Sequence, residues 1–364
     1  MMTFPDDWSW RVKVTSDNTK VAAAIKGLAI DLSNIASADF WDNVKSDGSD
    51  IRITTDEAGT SLVARDVVSI DTTGETGLIR LDTSGISTSA DTDYYVYYGN
   101  ASATEPLATD TYGRYNAYDS QKYLLLPYPE TSGTTANDRT VRQNTGTANN
   151  SRVLNATGKL GKGADFTQGN DYIEIPHSGD FSFDKSSVFT IGCWVKTSMS
   201  SGFGDFIGAE RAGSVGVMGY HLRIANSKVV FAVNRAGTGG NNVTTSANFN
   251  DNQWHRVTGV YNNSNFELFV DGVSQGTAVF THSVTGGTTQ DLMVGARKYS
   301  TIRDLFLNGF IDESFVYSGK ALTANEDLTF FNNESDNSTF WTINAPSPTL
   351  GYSSPFPSFR RRTT

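Results

Sequence analysis

Paired carboxylates are the first chemistry this sequence has to be searched for. Retaining glycoside hydrolysis needs two carboxyl groups about 5–5.5 Å apart, one a nucleophile and one an acid/base. A strand supplies such a pair from positions two apart, because alternate residues share a face. Here Asp171 and Glu174 are three apart, Asp312 and Glu313 are adjacent, and Glu267 stands alone in its segment. These spacings place neighbouring acids on opposite faces, and no Glu-x-Asp-x-x-Glu run occurs. The four histidines, His177, His221, His255 and His282, lack the i, i+4 spacing of a helical metal site. A nucleophile elbow, a Walker loop and a dinucleotide fingerprint are all missing. The single cysteine, Cys193, lies in the alternating run FTIGCWVK. It excludes an internal disulfide and a cysteine zinc cluster, and it reads as a buried strand thiol. The expectation is a protein that is not an enzyme. A glycan-active enzyme using Glu174 or Glu267 ranks below that reading.

Acidic residues also cluster near the N-terminus, at Asp47, Asp50, Asp56 and Glu57. They lack the oxygen spacing of an EF-hand loop and read as turn formers. The chain of 364 residues has a formal charge of −10, which argues against a general nucleic-acid binder, since neutralising phosphates needs clustered Lys and Arg. No stretch reaches the roughly 20 apolar residues of a membrane span. The opening MMTFPDDWSWRVKV has neither a basic region nor an apolar core of a signal peptide, so folding in the cytoplasm is expected.

The elements that must position any site are strands. Thirty-four glycines and long Ser/Thr/Asn stretches supply turns, and no helical heptad run is found. Trp8–Val14, Leu28–Leu32, Ile51–Thr54, Leu78–Leu81 and Tyr94–Tyr98 are short strand signals in the first 118 residues. Residues 101–122 form a tyrosine-rich connector, suited to packing two domains together. The clearest signal is NQWHRVTGVYNNSNFELFVDG, residues 252–272, in which alternation is broken by a polar turn and then resumes. That is an antiparallel hairpin with one face on a core.

With Trp254 leading its first strand and VDG closing its second, this hairpin resembles the central hairpin of laminin-G-like domains of the concanavalin-like jelly roll. Further segments agree in the family's order: the SGTT turn, GKLGKGADF, DYIEI, FTIGCWVK, LMVGA and NGFIDE. The string FW-x-x-V-x-x-DGSDIRITTDEAGTSL, residues 40–62, followed by YYVYYGNASA, resembles a β-domain family of unknown function found in phage proteins and in secreted bacterial and archaeal proteins. The fold class implied is all-β: an N-terminal β-sandwich domain at 1–118, a concanavalin-like jelly-roll sandwich at 119–337, and a Pro-rich C-terminal docking arm at 338–364. The arm holds four of the nine prolines and must lie against the chain's own domains or another subunit. In some relatives, oxygen ligands from an early turn and from the late strand hold a structural calcium. Calcium is therefore the one cofactor in view, with Asp138 and Asp312 as its ligands; hydrogen bonding of Asp312 and Glu313 to neighbouring loops is the competing reading.

Laminin-G-like domains work outside cells, and glycan or protein binding is what the resemblance implies. Aromatics that stack on sugar faces, with acids and amides taking hydroxyls, point to the loops Gly202-Phe203-Gly204-Asp205, Glu210-Arg211 and Asn234-Arg235. Asp205, Glu210, Arg211 and Arg235 are the candidate ligand-binding residues. An outward-facing domain without a leader leads to the expectation of a virion structural protein, a head decoration, fibre or tail component. Such a protein is assembled in the host cytoplasm, with other virion proteins or its own copies as partners through the arm. The alternative is a secreted or cell-surface bacterial glycan-binding module.

Overall fold

The computed structural model describes residues 4–151, 153–210, 216–235 and 239–349. The all-β expectation holds. In the first domain, Trp10–Ser16 pairs with Asp93–Tyr98, which pairs with Arg52–Thr54 and through it with Leu62–Val63. A three-stranded sheet, Leu28–Asp31, Thr76–Leu81 and Arg65–Asp71, packs against it. Alternate apolar residues meet between the two sheets, among them Val12, Val14, Val96, Ile30 and Ile79. The strand Arg65–Asp71 has no counterpart in the sequence reading. Its pairing partner shifts register between Val67 and Ser69, and that bulge breaks the alternation on which such a reading depends.

The second domain is a sandwich whose described residues form a nine-stranded and an eight-stranded sheet. Ile207, Tyr220, Leu222 and Phe231 from one sheet meet Ile191, Cys193, Val257, Tyr261 and Leu268 from the other. The hairpin spans Trp254–Asn262 and Asn265–Val270 in the eight-stranded sheet. Its two-residue turn has positive φ at Asn263 and Ser264, as a tight hairpin turn demands. Trp254, expected in the core, is only half-buried.

The outer face of this hairpin is not wet. Alternation predicts that Arg256, Thr258 and Val260 face solvent, yet they are 2%, 0% and 7% exposed. They are covered by the helix Ala324–Ser335 and by the first domain, and Val260, Phe269, Phe315 and Tyr317 share one core with Leu28, Phe330 and Trp341. A Thr323/Glu326 capping box starts this helix, satisfying free N–H groups at its N-terminus. Side-chain amides of this helix and of the short helix Asn337–Phe340 that follows it act as a neighbour for the edge strand Leu28–Asp31. Asn333 accepts from the Ala29 N–H (2.8 Å) and donates to the Ala29 carbonyl (3.0 Å), and Asn337 accepts from the Asp31 N–H (2.8 Å). Backbone groups that a further strand would have paired are satisfied by side chains one helical turn apart.

Charges sit in the middle of this seam. Glu334 accepts from Trp194 Nε1 (2.8 Å) and Arg256 Nη1 (2.7 Å), with Arg80 Nη2 of the first domain 3.1 Å away. Arg80 also meets Glu313 at 2.7 Å and donates to the Gly27 carbonyl at 2.6 Å. Asp327 accepts from Thr258 Oγ1 (2.7 Å) and from Arg256 Nε (3.3 Å). Glu313 reaches the seam because of a bulge. Between Gly192 and Trp194 the partner strand Gly309–Ser318 carries one extra residue, and Glu313 takes φ of 49° there. Adjacent acids that simple alternation sends to opposite faces are thereby both directed away from the sandwich interior.

The connector behaves in part as expected. Tyr118 is buried and its hydroxyl donates to Asp66 at 2.5 Å, whereas Tyr112 is exposed. In the arm, Trp341–Ile343 and Ser347–Pro348 pair with Trp10–Ser16, so this part lies against the chain's own first domain. Residues 350–364 of the arm lie outside the described residues.

Two predictions follow from the seam's charges. Arg80→Met leaves Glu313 and Glu334 without their common cation, and a loss of about 3–5 kcal/mol is expected in urea unfolding; an unchanged midpoint would refute it. Lys122 lies in the same region, its ammonium over the rings of Phe330 (4.9 Å) and Tyr317 (5.0 Å), and burial pulls its pKa down to about 7 from 10.5. Between those values the unfolded chain holds a proton that the folded chain lacks. Stability from this group therefore falls as pH drops from 10.5 to about 7, and the penalty is complete below that. Lys122→Met should flatten this slope and raise stability most at neutral pH and below, by on the order of 1–4 kcal/mol.

Candidate recognition face

The nine-stranded sheet turns one face to the sandwich core and the other outward. Residues 203–205, read from sequence as a loop, open the strand Phe203–Ala209. Against Val217–Ala225 this strand shifts register between Asp205 and Ile207, so Phe206 and Ile207 both enter the core. The bulge brings Asp205 and Glu210, five residues apart, to one guanidinium: Arg223 Nε is 3.1 Å from Asp205 Oδ1, and its Nη2 is 3.5 Å from Glu210 Oε1. His221 Nδ1 lies 2.9 Å from the same Glu210 oxygen. Asp205 is held above the usual carboxylate range by burial, with His221 and Arg223 pulling it down and Glu210 pushing it up.

Two exposed aromatics stand beside arginines of this group, Phe203 by Arg223 and Tyr299 by Arg297. Phe203 is 47% exposed, with the Arg223 guanidinium 5.8 Å from its ring centre. A short hairpin, Arg297–Tyr299 with Ile302–Asp304, carries Tyr299 (40% exposed) and Ile302 (60%). Arg297 is close enough to Asp205 and Glu210 for their charges to raise its pKa, though its main partner is Asp304, at 2.7 and 2.6 Å. At the hairpin's base Glu174 accepts from Lys298 (2.7 Å) and Arg303 (3.0 Å).

Of the sequence-predicted residues, Asp205 and Glu210 come together, and Arg235 lies in the neighbouring strand Lys228–Arg235, engaged with other groups. Arg211 lies outside the described residues. His221, Arg223, Arg297 and Tyr299 were missed. For the first two the signal was present: His221 and Arg223 are two apart in a strand whose other positions, Tyr220, Leu222 and Ile224, are apolar.

The calcium expectation meets a different arrangement. Asp138 accepts from the N–H groups of Leu125 (3.0 Å), Thr140 (3.0 Å) and Asn144 (2.8 Å). Asp312 accepts from those of Lys159 (2.8 Å), Leu160 (2.9 Å) and Glu313 (2.7 Å). Carboxylates whose oxygens are committed to N–H donors are organising turns, not presenting lone pairs to a cation. The reading of Asp312 as a hydrogen-bond acceptor for a neighbouring loop fits this geometry. Among the described residues no group of three or more His, Cys, Asp or Glu could hold a metal ion. In the first domain, Asp47 and Asp56 likewise accept from backbone N–H groups of their own turns.

With the jelly roll and its outer face established, residues 167–326 also match the family model described as the concanavalin A-like lectin/glucanases superfamily. The match covers less than half of the chain and lies within the second domain. Among solved structures, the binding domain of Paraclostridial Mosquitocidal Protein 1 is similar at 15% identity over 59% of this chain and 53% of that one, with a TM-score of 0.48. The match thus spans about half of that protein's length. Domain 4 of AbnA, a GH43 extracellular arabinanase from Geobacillus stearothermophilus in complex with arabinotriose, is similar at 17% identity over 57% and 97%, TM-score 0.45. The CBM40 of the Ruminococcus gnavus IT-sialidase, bound to α2,3 sialyllactose, is similar at 18% over 40% and 83%, TM-score 0.34. No curated protein matches the chain.

His255 gives this lectin-like domain a measurable pH signature. Its Nδ1 is 2.7 Å from Asp271 Oδ2 and its Nε2 is 3.1 Å from Asp251 Oδ1. Burial pulls its pKa down, but Asp271 and Asp251 outweigh that and raise it above 6.5. The stability it contributes is full below about 6.5 and is lost as pH rises through the higher folded value. An NMR titration should place the ring above 6.5, and Asp271→Asn should bring it down; a wild-type value below 6.5 would contradict the ion pairs.

Proposed function

We propose that this protein is a non-enzymatic recognition protein that displays its lectin-like domain, for glycan binding, on the outside of a virion. The observation that carries the recognition reading is the pair of exposed aromatics, Phe203 and Tyr299, each beside an arginine that is already paired with a carboxylate. Aromatic rings offer a large apolar contact at small entropic cost and suit the C–H face of a sugar. A non-catalytic role is supported by Arg223. It lies within 3.1 and 3.5 Å of the acid pair Asp205 and Glu210, on the face where a substrate would have to approach them. The virion placement draws support from the resemblance of residues 40–62 and 94–103 to a domain found in phage proteins. The same domain occurs in secreted bacterial proteins, which keeps the cell-surface adhesion module as the second reading.

A glycan array, a turnover assay on the glycans bound, and immunogold microscopy test these parts separately. Binding without turnover, and label on particles, are expected. Release of reducing ends that Glu210→Gln abolishes would overturn the non-enzymatic reading, and label confined to cell surfaces would favour the adhesion module.

A further inference from the structure

We infer that the recognition face takes an uncharged saccharide, bound between Phe203 and Tyr299, and rejects sialylated, uronic and sulfated glycans. This rests on the glycan-binding reading above and adds the class of ligand.

Charge decides the class of ligand. Among the described residues, four cations lie on or beside this face, Arg223, Arg297, Lys298 and Arg303, and each already faces a carboxylate. Arg223 lies between Asp205 and Glu210, and Arg297 makes a two-pronged pair with Asp304. Lys298 meets Glu174 and Asp291, and Arg303 shares Glu174. Five carboxylates thus answer four cations. An anionic ligand would have to take a cation from its partner and leave a carboxylate unpaired, which for the nearly buried Asp205 and Glu210 is strongly unfavourable. Lys228, further along the sheet, donates to the Ser246 carbonyl, and Arg235 is engaged. The chain's formal charge of −10 opposes the approach of anions from a distance.

A cationic ligand meets the converse obstacle, since those five carboxylates are held by their cations. What the face does offer is ring surface, with the apolar edge of Ile302. A neutral sugar fits that offer. Its C–H face covers an aromatic ring, and its hydroxyls exchange hydrogen bonds with polar groups without requiring any ion pair to open.

The test is an array carrying neutral oligosaccharides (gluco-, manno-, galacto- and arabino-) beside sialylated, uronic and sulfated ones. It is probed with the full chain and with Phe203→Ala and Tyr299→Ala, whose exposed positions leave the core intact, as circular dichroism would verify. Binding to neutral glycans is expected, weakened about tenfold by each substitution and little changed by added salt. Preference for acidic glycans, lost in the same variants, would overturn the inference while leaving the glycan-binding reading in place. Neutral binding that both variants retain would overturn the site. Absence of binding to any glycan would overturn the inference together with the reading on which it rests.

Discussion

The carboxylate of Glu334 ties together a helix, the jelly-roll sheet and the first domain of this protein. It sits at the end of a helix, receives Trp194 and Arg256 from two strands of the jelly roll, and faces Arg80 from the first domain. Burial alone would drive its proton back on, yet Arg256 and Arg80 outweigh burial and keep its pKa below the ordinary range. The arrangement is conditional. Each charge is tolerated in the interior only because the others are present, and the two domains cannot part without taking Arg80 away from Glu313 and Glu334. Burial wins at Glu313, whose pKa is raised despite Arg80. The seam as a whole therefore holds its charge through Glu334 and the two arginines.

That constraint explains why the hairpin at 254–270 looks different in the fold than in the sequence. Alternation read its inner residues, Val257 and Tyr261, as core, and they are. Its outer residues follow the same period, and nothing local distinguishes a wet face from one covered by another domain. Arg256 and Thr258 are polar, as an exposed face would be, but they are polar because they pair with Glu334 and Asp327. The helix that brings those acids was legible in principle: Thr323-x-x-Glu326 is a capping box. With mixed polar and apolar positions after it, the segment lacks a strong helical stripe, because its buried face is partly made of Asn and acidic side chains.

Bulges account for the other gaps. At Glu313 and again between Asp205 and Ile207, one extra residue reassigns which side chains share a face. Counting by twos correctly placed Cys193 and the hairpin interior, where the ladders are regular. It failed for the acid pair of the recognition face, which is five residues apart and reachable only through a bulge. Asp138 and Asp312 show a different limit: a sequence gives the identity of a carboxylate but not whether its lone pairs face N–H groups or a cation. The family resemblance was legible because many strand segments keep their order, a property of the fold that says little about which loops do the binding.

Charge is used in two ways in this molecule, and the contrast bears on function. At the seam, ions are buried in a branched network that crosses between domains, so their pairing energy holds the domains in a fixed relation. On the recognition face, ions are paired inside the second domain: in a strand pair, within one short hairpin, as in Arg297 with Asp304, and from that hairpin to Glu174. Local pairing does little to join distant parts. Its effect is to fix side-chain positions beside Phe203 and Tyr299 and to remove net charge from the surface between them. A face prepared in this way has its polar groups oriented before any ligand arrives, which lowers the ordering cost of binding. A rigid mount and a preorganised face are what the proposed recognition role requires.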